Sequence, residues 1–273
     1  MRTFSVLILL ALLIVIGSCD GVRENPMFNE AERSSFETEQ FIESYFTTVD
    51  DLTEDLVDEY SSEGGRVQRN VLTCEGVTLE LTRAGRLEVT LPEAGCTGPY
   101  GHELKGSFVV EWEGTRWQEG FISYTVLNDF YIDGVQVKGT RIVENITTAQ
   151  DTTLVHQVTV NDGEAIWPDG TTATRNVNRK HFWYLDNNGL YLWITGRTNG
   201  VNKNGVEYET LIDEDQPLYL ESNCVVSGNY IPSSGIKTLS TERNDFIIDY
   251  GNGSCDNKVI ISVGDRSAEL TIN

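Results

Sequence analysis

Cys19 is the residue of this 273-residue sequence best placed for covalent chemistry. It ends the stretch Ile16-Gly17-Ser18-Cys19, which follows a basic start, Arg2, and the unbroken apolar run Val6–Ile16. Cleavage before Cys19 would free an amine beside its thiol. Acylation of both would hang the chain from a bilayer by several acyl chains, each buried methylene adding about 0.8 kcal/mol. The run holds eleven residues, where a membrane-spanning helix needs roughly 20. A freely secreted product would instead show small residues before the cut, as in A-x-A. The residues therefore predict a lipoprotein signal over residues 1–18, with Ile16 standing where Leu is commoner, and lipid attachment at Cys19.

The other sulfurs read as structural. Cys74, Cys96, Cys224 and Cys255 form an even set in a chain expected to enter an oxidising compartment, and four cysteines allow three connectivities. Cys74–Cys96 and Cys224–Cys255 are the expected pairs, because each brackets its own local block of strands. A zinc site would require C-x₂₋₄-C spacing, which the four do not have, so no metal is assigned.

Catalytic chemistry finds no motif. The sequence contains no G-x-S-x-G, no H-E-x-x-H and no glycine-rich phosphate loop, and His102, His156 and His181 lie far apart. His156 falls in phase with Leu154, Val158 and Val160 and reads as a partly buried strand residue. A glycosidase pair of carboxylates about 5–10 Å apart remains the alternative, but 42 Asp and Glu give no basis for naming two. Asp213-Glu214-Asp215, and Asp249 with Asp256, offer oxygens to calcium without the D-x-[DN]-x-[DN]-G spacing, and read as solvated turn acids. No catalytic residue and no cofactor are assigned.

The sharpest candidate is aromatic. If Asn187-Asn188-Gly189 turns a hairpin, Phe182, Tyr184, Tyr191 and Trp193 share one face, and Trp183, Leu185, Leu190, Leu192 and Ile194 share the other. The second face reads as core. The first could be a platform on which sugar rings or peptide side chains stack. Strands apolar on both faces are usually covered, so a second buried layer, inside a sandwich or beneath the N-terminal helix, is the expected state of that face. Trp112 and Trp117, flanking Arg116, repeat the proposal more weakly, with Trp112 in phase with the core residues Phe108 and Val110.

These residues need elements to position them. Residues 19–33 are polar, include Pro26 and read as a tether. Residues 34–65 read as an amphipathic helical segment: Ser34-Ser35-Phe36-Glu37 fits a capping box, and Phe41, Ile42, Tyr45, Phe46, Val49, Leu52, Leu56 and Tyr60 recur at three and four. Asp50, Asp51, Glu54, Asp55, Asp58 and Glu59 then populate an opposite face expected to be solvated. From residue 66 to 273 the period changes to two. Asp133-Gly134, Asp169-Gly170, Asn188-Gly189, Asn199-Gly200 and Asn204-Gly205 each read as a hairpin turn. Strands are expected at intervals through this body, among them Thr172–Val177, His181–Leu185, Leu190–Thr195 and Asn223–Val226. The fold class is thus all-β, an antiparallel meander or sandwich with a short N-terminal helical segment. Leu87 to Cys96 aligns without gaps on Phe246 to Cys255 as strand, small-residue turn and cysteine, which suggests disulfide-stapled units of one kind near both ends of the body.

The chain resembles an uncharacterised group of β-rich lipoproteins from Bacteroidota-type bacteria. The likeness is carried by Cys19, by Tyr131-Ile132-Asp133-Gly134-Val135-Gln136-Val137-Lys138-Gly139-Thr140-Arg141, and by the ending Asp249-Tyr250-Gly251-Asn252-Gly253-Ser254-Cys255-Asp256-Asn257. It implies an envelope protein of antiparallel strands and transfers no activity.

Composition narrows the partners. The formal net charge is −22, and loss of the signal removes Arg2 and no acid, so the body should repel nucleic acid and anionic lipid. The reading is a lipid-anchored envelope protein, at the outer membrane with its leaflet open, acting as a noncatalytic binding or structural module for a glycan or an envelope protein. Its alternative is a carboxylate-based hydrolase of extracellular polysaccharide.

Overall fold

The computed structural model describes residues 28–61, 72, 74–187, 189–227, 229 and 231–272. Cys19, the signal, and most of the tether lie outside them. One helix precedes the strands, α1 (Glu30–Ser61). The strands are β1 (Thr78–Arg83), β2 (Arg86–Thr90), β3 (Cys96–Thr97), β4 (Glu103–Glu113), β5 (Ile122–Ile132), β6 (Val135–Asn145), β7 (Leu154–Ile166), β8 (Thr172–Asp186), β9 (Gly189–Val201), β10 (Glu207–Ile212), β11 (Leu218–Glu221), β12 (Ser234–Thr241), β13 (Asp245–Asn252), β14 (Lys258–Val263) and β15 (Arg266–Thr271). A second helix, α2 (Ser222–Val226), is one short turn. Among the described residues no helix is long and apolar enough to cross a membrane.

The fifteen described strands form one antiparallel sheet: thirteen follow the order β1-β2-β4-β5-β6-β7-β8-β9-β10-β12-β13-β14-β15, while β3 pairs with β4 and β11 with β9 and β12, so the architecture is a meander. Its short connections explain that order, because two-residue turns can join only antiparallel neighbours. Ile132 pairs with Val135 across Asp133-Gly134, both at positive φ, a type I′ turn. Asn199-Gly200 is not a turn: both residues lie within β9, where Gly200 lets the Thr174 carbonyl come so close that a Cβ would stand 1.9 Å from it. Thr172–Val177 and His181–Leu185 are likewise one strand, β8, since the polar stretch between them alternates in phase with both. Asn223–Val226 is helical, not extended.

Strand alternation sends one set of side chains to a single inner face. Leu87 and Val89, Val158 and Val160, Phe246 and Ile248, and Val259 and Ile261 are all buried there. Against this face lies α1, in two apolar clusters. Ile42, Tyr45, Phe46, Val49, Leu52, Leu56 and Val57 pack with β2 to β8, while Phe36 packs with β10 to β15. The helix therefore traverses the sheet from its C-terminal strands to its N-terminal ones. Register shifts in β4–β5, β5–β6, β6–β7 and β7–β8 mark bulges, which bend and twist strands. At one of them a Cβ on Gly139 would stand 2.9 Å from the Gly163 Cα, and one on Gly163 3.0 Å from the Phe46 ring. Two glycines thus let the sheet close on the helix.

The helix starts earlier than Ser34. Asn29 Oδ1 accepts the Glu32 N–H and Glu32 Oε2 accepts the Asn29 N–H, each at 2.9 Å, a reciprocal cap that leaves Ser34 inside the first turns. The last residues expected of the tether, 30–33, are thus helical. Cys74–Cys96 and Cys224–Cys255 form the two disulfides, with Cα separations of 5.4 and 5.2 Å. The first ties the stretch before β1 to β3, and the second ties α2 to the β13–β14 connection.

Candidate functional site

The inner face carries an arrangement that the sequence reading missed. Five cations project from the sheet side into the helix interface, where they meet Asp50, Glu54 and Asp58, three of the acids expected to be solvated, together with Glu39 and Glu43. Arg141 pairs with Asp50 and, at 2.6 Å, with Glu54. Arg116, from the β4–β5 connection, pairs with Glu54 and, at 3.0 Å, with Asp58. Arg175 and Arg179 both reach Glu43 at 2.5 Å, and Lys237 reaches Glu39 at 3.0 Å. At the margin, Arg266 grips Glu32 bidentately at 2.8 and 3.2 Å.

These pairs set the local pKa values. Burial would raise Glu54, but Arg116 and Arg141 outweigh it and hold the carboxyl at about 2. For Glu43, Arg175, Arg179 and Lys237 overcome burial and keep it well below the ordinary range. Asp50 behaves oppositely: burial, helped by Glu54, pushes it up to about 6 despite Arg141. Burial also depresses His156 to about 4 and His181 to about 3, so both imidazoles are neutral at pH 7. His156 is fully buried, with Nε2 3.1 Å from the Arg116 carbonyl. His102 stands apart, its Nδ1 2.6 Å from Asp133. The inner network fastens α1 to the sheet.

The outer face is different. Phe182 pairs with Trp193 and Tyr184 with Tyr191 across β8 and β9, so the four predicted aromatics do share a face. That face points away from α1, since its neighbours in phase on the other side, Arg179 and His181, point into the helix interface. Strand β11 adds a fifth ring: Tyr219 lies opposite Trp193, and Glu221 opposite Tyr191. Tyr191 and Tyr219 are stacked at 5.9 Å with 12° between planes, and Trp193 lies 5.4 Å from Tyr219. Tyr184 closes the group, 6.2 Å from both Tyr191 and Trp193. Among the described residues no second layer covers it: Tyr184 is 43% exposed, and Phe182, Tyr191 and Trp193 are half-buried. The opposite face is not closed core at this end either. Leu185 is 73% exposed and Trp183, Leu190, Leu192 and Ile194 are only partly buried, because the hairpin runs beyond the helix.

Beside the rings the sheet is broken. Strands β10 and β11 share the position between β9 and β12, β10 pairing with residues 196–201 of β9 and β11 with residues 191–194. Between them, residues 213–217 loop out and leave an open cleft of about 640 Å³. Trp193 and Tyr219 line it with Gln216, Pro217, Ile236 and Asp249. Gly235 makes the geometry possible: it sits at φ +107°, and a Cβ there would come 2.2 Å from the Pro217 carbonyl oxygen.

No known family model, curated protein or solved structure matches this chain.

The remaining sequence candidates resolve locally. Trp112 is buried in the core as its phase implies. Trp117 is exposed, stacked under the Arg116 guanidinium at 4.4 Å, with Trp183 edge-on at 5.8 Å. Arg116 is thus taken up by the helix acids and two indoles. Asp213 accepts the Asp215 N–H at 3.0 Å as a turn acid, and Asp249 faces the cleft, accepting the Gly251 N–H at 2.8 Å. Among the described residues no group of three or more His, Cys, Asp or Glu is placed to hold a metal ion.

Proposed function

We propose that the chain is an envelope lipoprotein, acylated at Cys19, whose outer aromatic face binds a glycan without catalysis. The observation that carries the binding reading is the uncovered row Tyr184, Tyr191, Trp193 and Tyr219 beside an open cleft. Exposed aromatic clusters of this kind are poor surfaces to leave in water, and flat rings suit the apolar faces of sugars. The geometry also suits an anchor. Asn202 and Asn204, at the far end of β9, hydrogen-bond Ser35 and Ser34 near the start of α1. A strand rising about 3.3 Å per residue puts the aromatics roughly 30 Å along β9 from where the tether enters. A lipid at Cys19 would then hold the rings away from the bilayer.

The hydrolase alternative requires two carboxylates facing one bond. Asp249 is the one acid among the described residues that line the cleft, so binding is favoured over hydrolysis. An envelope partner protein is the other occupant that the rings could take.

Two experiments test the proposal. Mass spectrometry of native protein should find a diacylated or triacylated Cys19 at the new amino terminus, lost in Cys19→Ala. Binding of the mature chain to soluble oligosaccharides should fall when Tyr184 and Trp193 are replaced by Ala. Binding unchanged in a folded double variant removes the platform.

A further inference from the structure

Resting on the glycan reading above, we infer that the cleft selects sugars bearing free amino groups. Among the described residues, the carboxylates that act on the Tyr219 hydroxyl are those of Glu221 and Asp186, and the acid that lines the cleft is Asp249. Asp249 lines the cleft with Trp193 and Tyr219, and no Lys, Arg or His is among the lining residues. Glu221 lies on the aromatic face opposite Tyr191, and Asp186 follows Tyr184 in phase on β8. Both acids stand close enough to Tyr219 to raise its hydroxyl pKa, after the effect of burial itself. The nearest cation on that face of β8, Lys180, precedes Phe182 by two residues and stands near Asp151.

Two forces then act in the same direction on a positive ligand. Aromatic faces carry a negative quadrupole that attracts cations, and indole is the strongest of the natural rings. The carboxylates add direct attraction and a charged acceptor for an ammonium donor. A neutral sugar gains from stacking alone. A uronate or phosphorylated glycan meets Asp249 in the cleft, with Glu221 and Asp186 by the rings outside it, within a chain of net charge −22. A 2-amino-2-deoxy pyranose presents an apolar ring face and, on the same ring, an ammonium within reach of Asp249. It therefore uses both features of the site at once.

The test compares, by calorimetry on the mature chain in mildly acidic buffer, glucosamine oligomers, N-acetylglucosamine oligomers of equal length, and oligogalacturonate. The glucosamine oligomer should bind about tenfold tighter than its acetylated counterpart. Oligogalacturonate should not bind, and the preference should shrink at high ionic strength. Asp249→Asn keeps the acceptor that caps the Gly251 N–H, so it should fold, and it should lose most of the preference while binding the acetylated oligomer as before. Equal or tighter binding of the acetylated oligomer, or a preference untouched by Asp249→Asn, overturns this inference and leaves the glycan platform standing. A lysine peptide of matched charge binding as tightly as the amino sugar overturns it too. Failure of every oligomer to bind, with Trp193→Ala silent, removes the platform reading itself.

Discussion

Lys237 Nζ lies 3.0 Å from Glu39 Oε2, with both side chains 1% exposed and a sequence separation of 198. A buried ammonium is costly unless a partner replaces the water it has lost, and Glu39 stands where it can do so. The attraction of Glu39 raises the Lys237 pKa above its ordinary value even though burial pulls it down. Removing one partner strands the other. Lys237→Met should destabilise the fold by about 3–5 kcal/mol, measured by urea unfolding. The pair Lys237→Met with Glu39→Gln should recover part of that loss, and a double variant as unstable as the sum of the singles counts against the pairing.

Acid should act through His181. Burial holds its folded pKa near 3, below the ordinary 6.5, so the unfolded chain takes up the proton first. The stability that His181 contributes is full above about pH 6.5 and drains as pH falls toward 3. Asp50 works the other way: with a folded value of about 6 against an ordinary 3.8, it favours the folded state increasingly as pH drops through that window. The informative measurement is thus a difference. His181→Gln should remove about 1.4 kcal/mol per pH unit of acid sensitivity between roughly pH 6 and 4. Unfolding midpoints across that range read it directly, and parallel profiles for the two proteins refute it.

Gly235→Ala should hurt both stability and the cleft. A methyl group at φ +107° would meet the Pro217 carbonyl, so a loss of about 1–3 kcal/mol is expected from strained backbone. Sugar affinity should fall with no ring altered. Thermal melting and calorimetry on the same sample check both.

The disulfides should contribute comparably. Their separations of 22 and 31 residues imply about 3–4 kcal/mol each from the restricted unfolded chain. Cys224→Ala with Cys255→Ala should lower the melting temperature, and further reduction should matter only through Cys74–Cys96.

The β body was legible because its turns carry their own chemistry: Asp133-Gly134 and Asn204-Gly205 need positive φ and have glycine to supply it. Local cysteine pairing followed from the same short connections. What stayed hidden was long-range. Asp50, Glu54 and Asp58 looked solvated because their partners lie far along the chain, on β6 and the β4–β5 connection, and Glu39 and Glu43 meet theirs on β8 and β12. A signal was present, though. Ala173, Arg175, Val177, Arg179 and His181 share one phase of β8, and cations in a core phase require buried anions somewhere. Strands β11 and β12 escaped notice for a different reason. Leu218–Glu221 is too short to show alternation, and Ser234-Gly235 breaks the pattern at the bulge. That Phe182, Tyr184, Tyr191 and Trp193 share a face followed from the hairpin alternation, but Tyr219 reached it only through the pairing of β11.

The grip of Arg266 on Glu32 joins the last hairpin to the first turn of α1 across 234 residues. A polypeptide emerging amino end first makes its central helix long before the strands that enclose it. Until the strands arrive, that helix carries carboxylates and apolar residues with no seat of their own, and most of them find partners on the β4–β5 connection, β6, β8 and β12. Glu32, at the start of the helix, waits longest, because its partner is made only with the last hairpin.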